Sequence, residues 1–296
     1  GEKHPDTASS YNNIGLLYNN LGEYDKTLEY YNKALEIRKD VLGENHPDTA
    51  ESYNNIGTVY SILGDYGKAL EYYNKALEIR KDVLGEKHPD TAGSYNNIGA
   101  VYDNLGDYDK ALEYYNKALE IYKAVLGENH PDTADSYNNI GVVYFNLRDH
   151  NKALEYYNKA LKIKKVVLGE NHPDTAYSYN NIGVVYANLG EYDEALKFYN
   201  KALEIRKDVL GENHPDTAGS YNNIGAIYYN LGGYDKALEY FNKALEIRKD
   251  VLGKNHPDTA ASYINSGNVY ADLGNYDKAL GFYYKAWEIF EEVLGE

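Results

Sequence analysis

A chain of 296 residues ordinarily holds one large domain or two, but this one divides into seven units of 42 with two residues over. Its seven prolines all stand in His-Pro-Asp triplets that also take seven of the eight histidines, and 35 tyrosines accompany one tryptophan and neither cysteine nor methionine, which argues against a single-core enzyme. A net charge of −16 disfavours nucleic acid and anionic membranes, the lack of cysteine removes disulfides and thiolate chemistry, and no apolar run reaches the roughly 20 residues of a membrane span.

The units run 1–42, 43–84, 85–126, 127–168, 169–210, 211–252 and 253–294, and Gly295 and Glu296 open an eighth. Together with the missing initiator methionine, this reads as a segment of a longer array, with a cytoplasmic location expected by default. Each position is named below by its slot, its number in the first unit. Pro5 suits a first helical position and Asp6 the positive end of a helix, so a helix is expected from Pro5 to about Asn20. Ala8, Tyr11, Ile14, Gly15 and Tyr18 form its apolar stripe, and Gly22 ends it. A second helix is expected from about Tyr24 to Val41, with Tyr24, Thr27, Leu28, Tyr31, Ala34, Leu35 and Arg38 on one stripe. Lys26, Glu29, Lys33, Glu36 and Asp40 lie opposite as a solvated face. Small residues at Gly15, Ala34 and slot 27, alanine in six of the seven units, let the two helices approach closely.

One such hairpin cannot bury its stripe, whereas stacked hairpins can. The pattern Tyr11-x-x-Ile14-Gly15-x-x-Tyr18, Leu21-Gly22-x-Tyr24, Tyr31, Ala34 resembles the tetratricopeptide repeat (TPR), and the 42-residue period is similar to the long variant of kinesin light chains and of sensor arrays in some signalling ATPases. The resemblance implies an all-α fold, a right-handed superhelical α-solenoid of seven helix-turn-helix repeats forming a single domain. In the fourth repeat Arg148 replaces the turn glycine and His150 the tyrosine after it; in the last, Ile264, Ser266, Tyr284, Trp287 and Phe290 break the pattern and leave an open apolar end.

A metal shared between repeats would need ligands about 2 Å from it, whereas equivalent atoms of neighbouring repeats stand about 10 Å apart. His4, His46, His88, His130, His172, His214 and His256 therefore read as helix starts and His150 as a turn residue. Neither metal nor cofactor is expected. Every Ser, His and Asp occupies a repeated slot, so no catalytic constellation stands out and the chain reads as non-enzymatic.

The informative face lies opposite the first helix's core stripe, at slots 9, 12, 13, 16, 19 and 20, which the resemblance places in a concave peptide-binding groove. Slot 13 is constant, with Asn13, Asn55, Asn97, Asn139, Asn181, Asn223 and Asn265, and Asn12, Asn54, Asn96, Asn138, Asn180 and Asn222 stand beside them. Their amides can pair with an extended backbone or hold repeat to repeat. Slots 9 and 19 each carry six residue types in seven copies, while slot 33 is lysine throughout, so the groove reads as the individualised surface. Its candidate anchors are Phe145, Tyr177 and Tyr229 near Val142 and Val184, beside Glu51, Asp103, Asp135 and Asp272, with no Lys or Arg in those slots. The basic clamps by which many TPR proteins hold acidic tails are missing. The expected partner is a protein or peptide with an apolar anchor and neutral or basic flanks, and neither nucleic acid nor membrane. The alternatives are end-to-end self-association through terminal repeats, a sensor or adaptor segment of a larger signalling protein, and a designed consensus array.

Overall fold

A computed structural model describes residues 4–294; Gly1 and the start of an eighth repeat at Gly295 and Glu296 lie outside the described residues. Each His-Pro-Asp triplet starts a helix. The histidine Nδ1 accepts from the backbone N–H two residues on, at 3.2 Å from Asp6 to His4 and 3.1 Å from Asp90 to His88. Proline then fills a position whose N–H would have no partner, and the aspartate faces the helix dipole. The repeated histidines thus cap helices.

The first helices so begun are α1 (Pro5–Asn20), α3 (Pro47–Ile62), α5 (Pro89–Asn104), α7 (Pro131–Asn146), α9 (Pro173–Asn188), α11 (Pro215–Asn230) and α13 (Pro257–Asp272). The second helices are α2 (Tyr24–Leu42), α4 (Tyr66–Leu84), α6 (Tyr108–Val125), α8 (His150–Val167), α10 (Tyr192–Leu210), α12 (Tyr234–Val251) and α14 (Tyr276–Leu294). Within a hairpin the reversal needs a left-handed residue, and Gly106 supplies it at φ 75°. Arg148 occupies that place in the fourth repeat at φ 61°, at a cost of about 1 kcal/mol.

The helices group into two compact units, one ending at Asp149 and the other starting at His150. In each, alanines at slots 8, 27 and 34 are fully buried, as at Ala92, Ala111 and Ala118 in the first unit and Ala218, Ala237 and Ala244 in the second. Thr27, the exception at its slot, is also fully buried and satisfies its hydroxyl on the Glu23 carbonyl at 3.0 Å. Helices of one hairpin meet at the slot-15 glycine. An added Cβ at Gly99 would lie 2.9 Å from the Tyr115 ring, and one at Gly183 would lie 2.7 Å from Tyr199. Successive hairpins share a core in which Tyr31 and Leu35 of α2 pack with Tyr53, Ile56 and Val59 of α3. In the second unit Tyr199 and Leu203 of α10 meet Tyr221, Ile224 and Ile227 of α11.

The outer side accounts for much of the tyrosine. Tyr102 stacks on Tyr114 at 5.5 Å, Tyr95 tilts against the same ring at 6.0 Å, and Lys117 lies 5.0 Å above it. Lys117 also pairs with Glu113 at 2.6 Å. Lys33, Lys75, Lys159 and Lys243 repeat both contacts, while Lys201 and Lys285 keep the ring contact alone, so the uniform lysines are held over rings rather than freely solvated. Their constancy reflects packing, so it is no neutral yardstick for the variation on the opposite face.

Candidate functional site

Slots 12 and 13 are adjacent in sequence, so on a helix they project about 100° apart, one toward each neighbouring repeat. In the first unit the Asn55 Nδ2 donates to the Asn12 Oδ1 at 3.0 Å, Asn97 to Asn54 at 2.8 Å and Asn139 to Asn96 at 3.1 Å. In the second unit Asn223 donates to Asn180 at 2.9 Å and Asn265 to Asn222 at 2.7 Å. The asparagines therefore form a ladder that ties first helix to first helix. Each rung uses one N–H and one lone pair. In these rungs the carbonyls of Asn55, Asn97 and Asn223 and the amide N–H groups of Asn54, Asn96, Asn180 and Asn222 keep hydrogen-bonding capacity. Asn54, Asn96, Asn180 and Asn222 are half-buried, as are Asn55, Asn97, Asn139, Asn181 and Asn223; Asn13 is exposed and Asn138 buried.

Slot 9 lies near the N-terminal end of each first helix and slot 19 in its last turn, about 15 Å away along the axis. Tyr177 accordingly stands in the second turn of α9, with 47% of its surface exposed. Phe145 and Tyr229 end α7 and α11 and are half-buried, as are Val142 and Val184. The aromatic anchors thus fall at different ends of their helices.

Several variable side chains are tied to a neighbouring repeat. Asp103 accepts from the Asn146 Nδ2 at 3.1 Å, and burial raises its pKa. The Tyr229 hydroxyl donates to Asp272 at 2.6 Å. Glu51 pairs at 3.2 Å with Arg38 of the preceding second helix. That arginine, on the packing stripe of α2, belongs to a set that bonds one repeat to the next. Arg38 donates to the Asp48 carbonyl at 2.9 Å and to Ser52 at 2.8 Å; Arg80, Arg206 and Arg248 repeat both bonds to the next first helix. The recurrence of arginine at slot 38 with serine at slot 10 was the available signal. Although no Lys or Arg occupies the variable slots themselves, Arg38 in α2 offsets the charge of Glu51.

The chain is matched by a tetratricopeptide repeat family profile in six overlapping stretches, residues 6–82, 59–124, 90–165, 132–208, 174–250 and 216–292.

It belongs to the tetratricopeptide repeat family.

Repeats of this family typically build protein–protein interaction scaffolds and are generally non-catalytic. Among solved TPR-type structures, BtubC (BKLC) from P. vanneervenii is 27% identical at a TM-score of 0.63, over 78% of this chain and 91% of that one. Nearly identical TPR-like repeats assigned to a kinesin light chain of Podosopora anserina are 21% identical at a TM-score of 0.59, over 70% of this chain and 98% of theirs. A signal transduction ATPase with a tetratricopeptide repeat sensor, from Pyrococcus horikoshii, is 21% identical at a TM-score of 0.71, over 98% of this chain but only 43% of its own. A search of curated proteins finds no match. Among the described residues of this TPR chain, no helix is long and apolar enough to cross a membrane.

Proposed function

We propose that this TPR chain is a non-enzymatic scaffold that binds an extended segment of a partner protein along its first-helix face. The observation carrying this reading is the pairing of an amide ladder, in which the N–H groups of Asn54, Asn96, Asn180 and Asn222 are unspent, with flanking slots that differ from repeat to repeat. Unspent carbonyls and amide N–H groups meet a peptide backbone whatever its sequence; Phe145, Tyr177, Tyr229, Val142 and Val184 would then select side chains. The acidic balance favours a segment with an apolar anchor and neutral or basic flanks. Selection from a random peptide library followed by fluorescence anisotropy should yield such segments. The double variant Phe145→Ala, Tyr229→Ala is expected to weaken them at least about ten-fold. Unchanged affinity in that variant would overturn the reading.

The outward face of α14 supports a second reading, head-to-tail self-association. Leu280, Tyr284 and Trp287 are 51%, 61% and 55% exposed around an open concavity. In the fifth repeat the corresponding Leu196 and Leu203 are packed against Ile227 and its neighbours on α11. Leu17 of α1 and Leu21 just after it, 64% and 70% exposed, occupy the slots of Ile227 and Leu231, so α1 of a second copy can cover α14 much as α11 covers α10. Sedimentation velocity is expected to show mass rising with concentration, and Trp287→Asn is expected to abolish the rise. A monomer at every concentration would exclude this mode.

A further inference from the structure

Three departures from the repeat pattern converge where α11, α12 and α13 meet in the second unit. Slot 19 is tyrosine only at Tyr229. Slot 20 is aspartate only at Asp272; five other repeats have asparagine there and one has Ile62. Slot 23 is glycine only at Gly233, where five repeats carry Glu or Asp and the last carries Asn275.

The geometry at this junction is specific. The Tyr229 hydroxyl donates to the Asp272 Oδ2 at 2.6 Å, and no other hydrogen bond reaches that carboxylate among the described residues. The Tyr229 and Tyr234 ring centroids lie 5.9 Å apart, tilted by 54°. The Tyr283 hydroxyl, close enough to act electrostatically on Tyr229, is itself committed to the Asn268 Oδ1 at 2.8 Å. The bond to Asp272 is the main cause that pushes the Tyr229 hydroxyl up to about 12, so it stays a neutral donor, and the Asp272 Oδ1 takes no hydrogen bond among the described residues. Asp272 is exposed, and Tyr229 and Tyr234 are half-buried.

The local cation is accounted for. In other turns the slot-26 lysine pairs with the slot-23 acid, as Lys68 does with Asp65 at 3.0 Å and Lys110 with Asp107 at 2.9 Å. Gly233 removes that acid from the sixth repeat, and Lys236 keeps only the ring contact that Lys68 and Lys110 also make, over Tyr228 at 4.9 Å. Asp235, next to Tyr234 in the sequence, is also acidic. A carboxylate beside two tilted π faces suits a guanidinium or ammonium group, which a carboxylate binds by charge-assisted hydrogen bonds and a ring face by its quadrupole.

We propose that Tyr229, Tyr234 and Asp272 form a receptor for a cationic side chain, arginine or lysine, of the bound segment. The proposal rests on the groove reading above and makes its basic flank specific to the junction of the sixth and seventh repeats.

The test uses the full chain with 13C-labelled tyrosine rings, titrated with ethylguanidinium and, separately, ethylammonium at constant ionic strength. Saturating shifts are expected at Tyr229 and Tyr234 and not at Tyr102, which stacks on the outer side. Asp272→Asn, a surface change that should preserve the circular dichroism spectrum, is expected to weaken the response at least about five-fold. Tyr229 shifts no larger than those of Tyr102, or binding unchanged by Asp272→Asn, would overturn the receptor. Peptide selection separates the two proposals. Segments that bind with no Asp272-dependent preference for Arg or Lys would overturn the receptor and leave the groove reading intact. Cation binding together with a failure to select any peptide would support the receptor's chemistry and count against the groove.

Discussion

Gly99→Ala is expected to lower stability by about 2 kcal/mol, while Gly93→Ala, six residues earlier in α5, is expected to raise it by up to about 1 kcal/mol. The substitution is the same, and both glycines sit inside one helix, so the gain in helix propensity is shared. What differs is the space. At Gly99 the new Cβ would lie 2.9 Å from two atoms of the Tyr115 ring, and that ring is 3% exposed between packed helices. Neither partner can yield without shifting α5 from α6, and overpacking of this kind costs typically 1–3 kcal/mol. At Gly93 the nearest atom is the Tyr122 hydroxyl at 3.6 Å, an ordinary contact. Urea midpoints of the two variants should therefore move in opposite directions. A stabilised Gly99→Ala would mean that the hairpin is not held at the separation seen here.

That pair also marks how far the sequence could be read. Close approach at slot 15 was legible because glycine inside an otherwise good helix needs a packing reason, and the helix starts were legible because Pro, Asp and Gly carry backbone constraints of their own. The asparagine rungs were only half legible. Constancy announced a role, but the partner of Asn97 is Asn54, 43 residues back, a choice set by how two helices rotate against each other. The slot-33 lysines misled for a related reason, since their registry over Tyr114 and its equivalents depends on three-dimensional stacking. The variable slots read as an individualised binding surface, yet Glu51, Asp103 and Tyr229 each bond across a junction. Part of the variation on that face is thus local fitting between neighbouring repeats. Tyr177 is the aromatic residue at slot 9, and at 47% exposed it leaves room for a partner.

The junction arginines make the same point energetically, and Arg206→Ala is expected to cost about 3 kcal/mol. Arg206 is 8% exposed; burial pulls its pKa down, but the guanidinium stays charged and needs its partners. Its Nη1 donates to the Asp216 carbonyl at 3.2 Å and to the Ser220 Oγ at 2.7 Å, binding the end of α10 to the first turns of α11. Truncation removes both bonds and the packing of the aliphatic stem. Ser220 retains a contact of 3.3 Å to the Asp216 carbonyl, which limits the loss. Arg206→Met keeps most of the stem volume and is expected to cost about half as much. Because contacts in a repeat protein are mainly between neighbours, the deficit should be local. Hydrogen exchange at Thr217 and Ala218 should accelerate strongly, and exchange at Ala176 in α9 should change little. Uniform acceleration across α9 and α11 would show that the second unit opens as one body, and would remove the arginines from the role of junction locks.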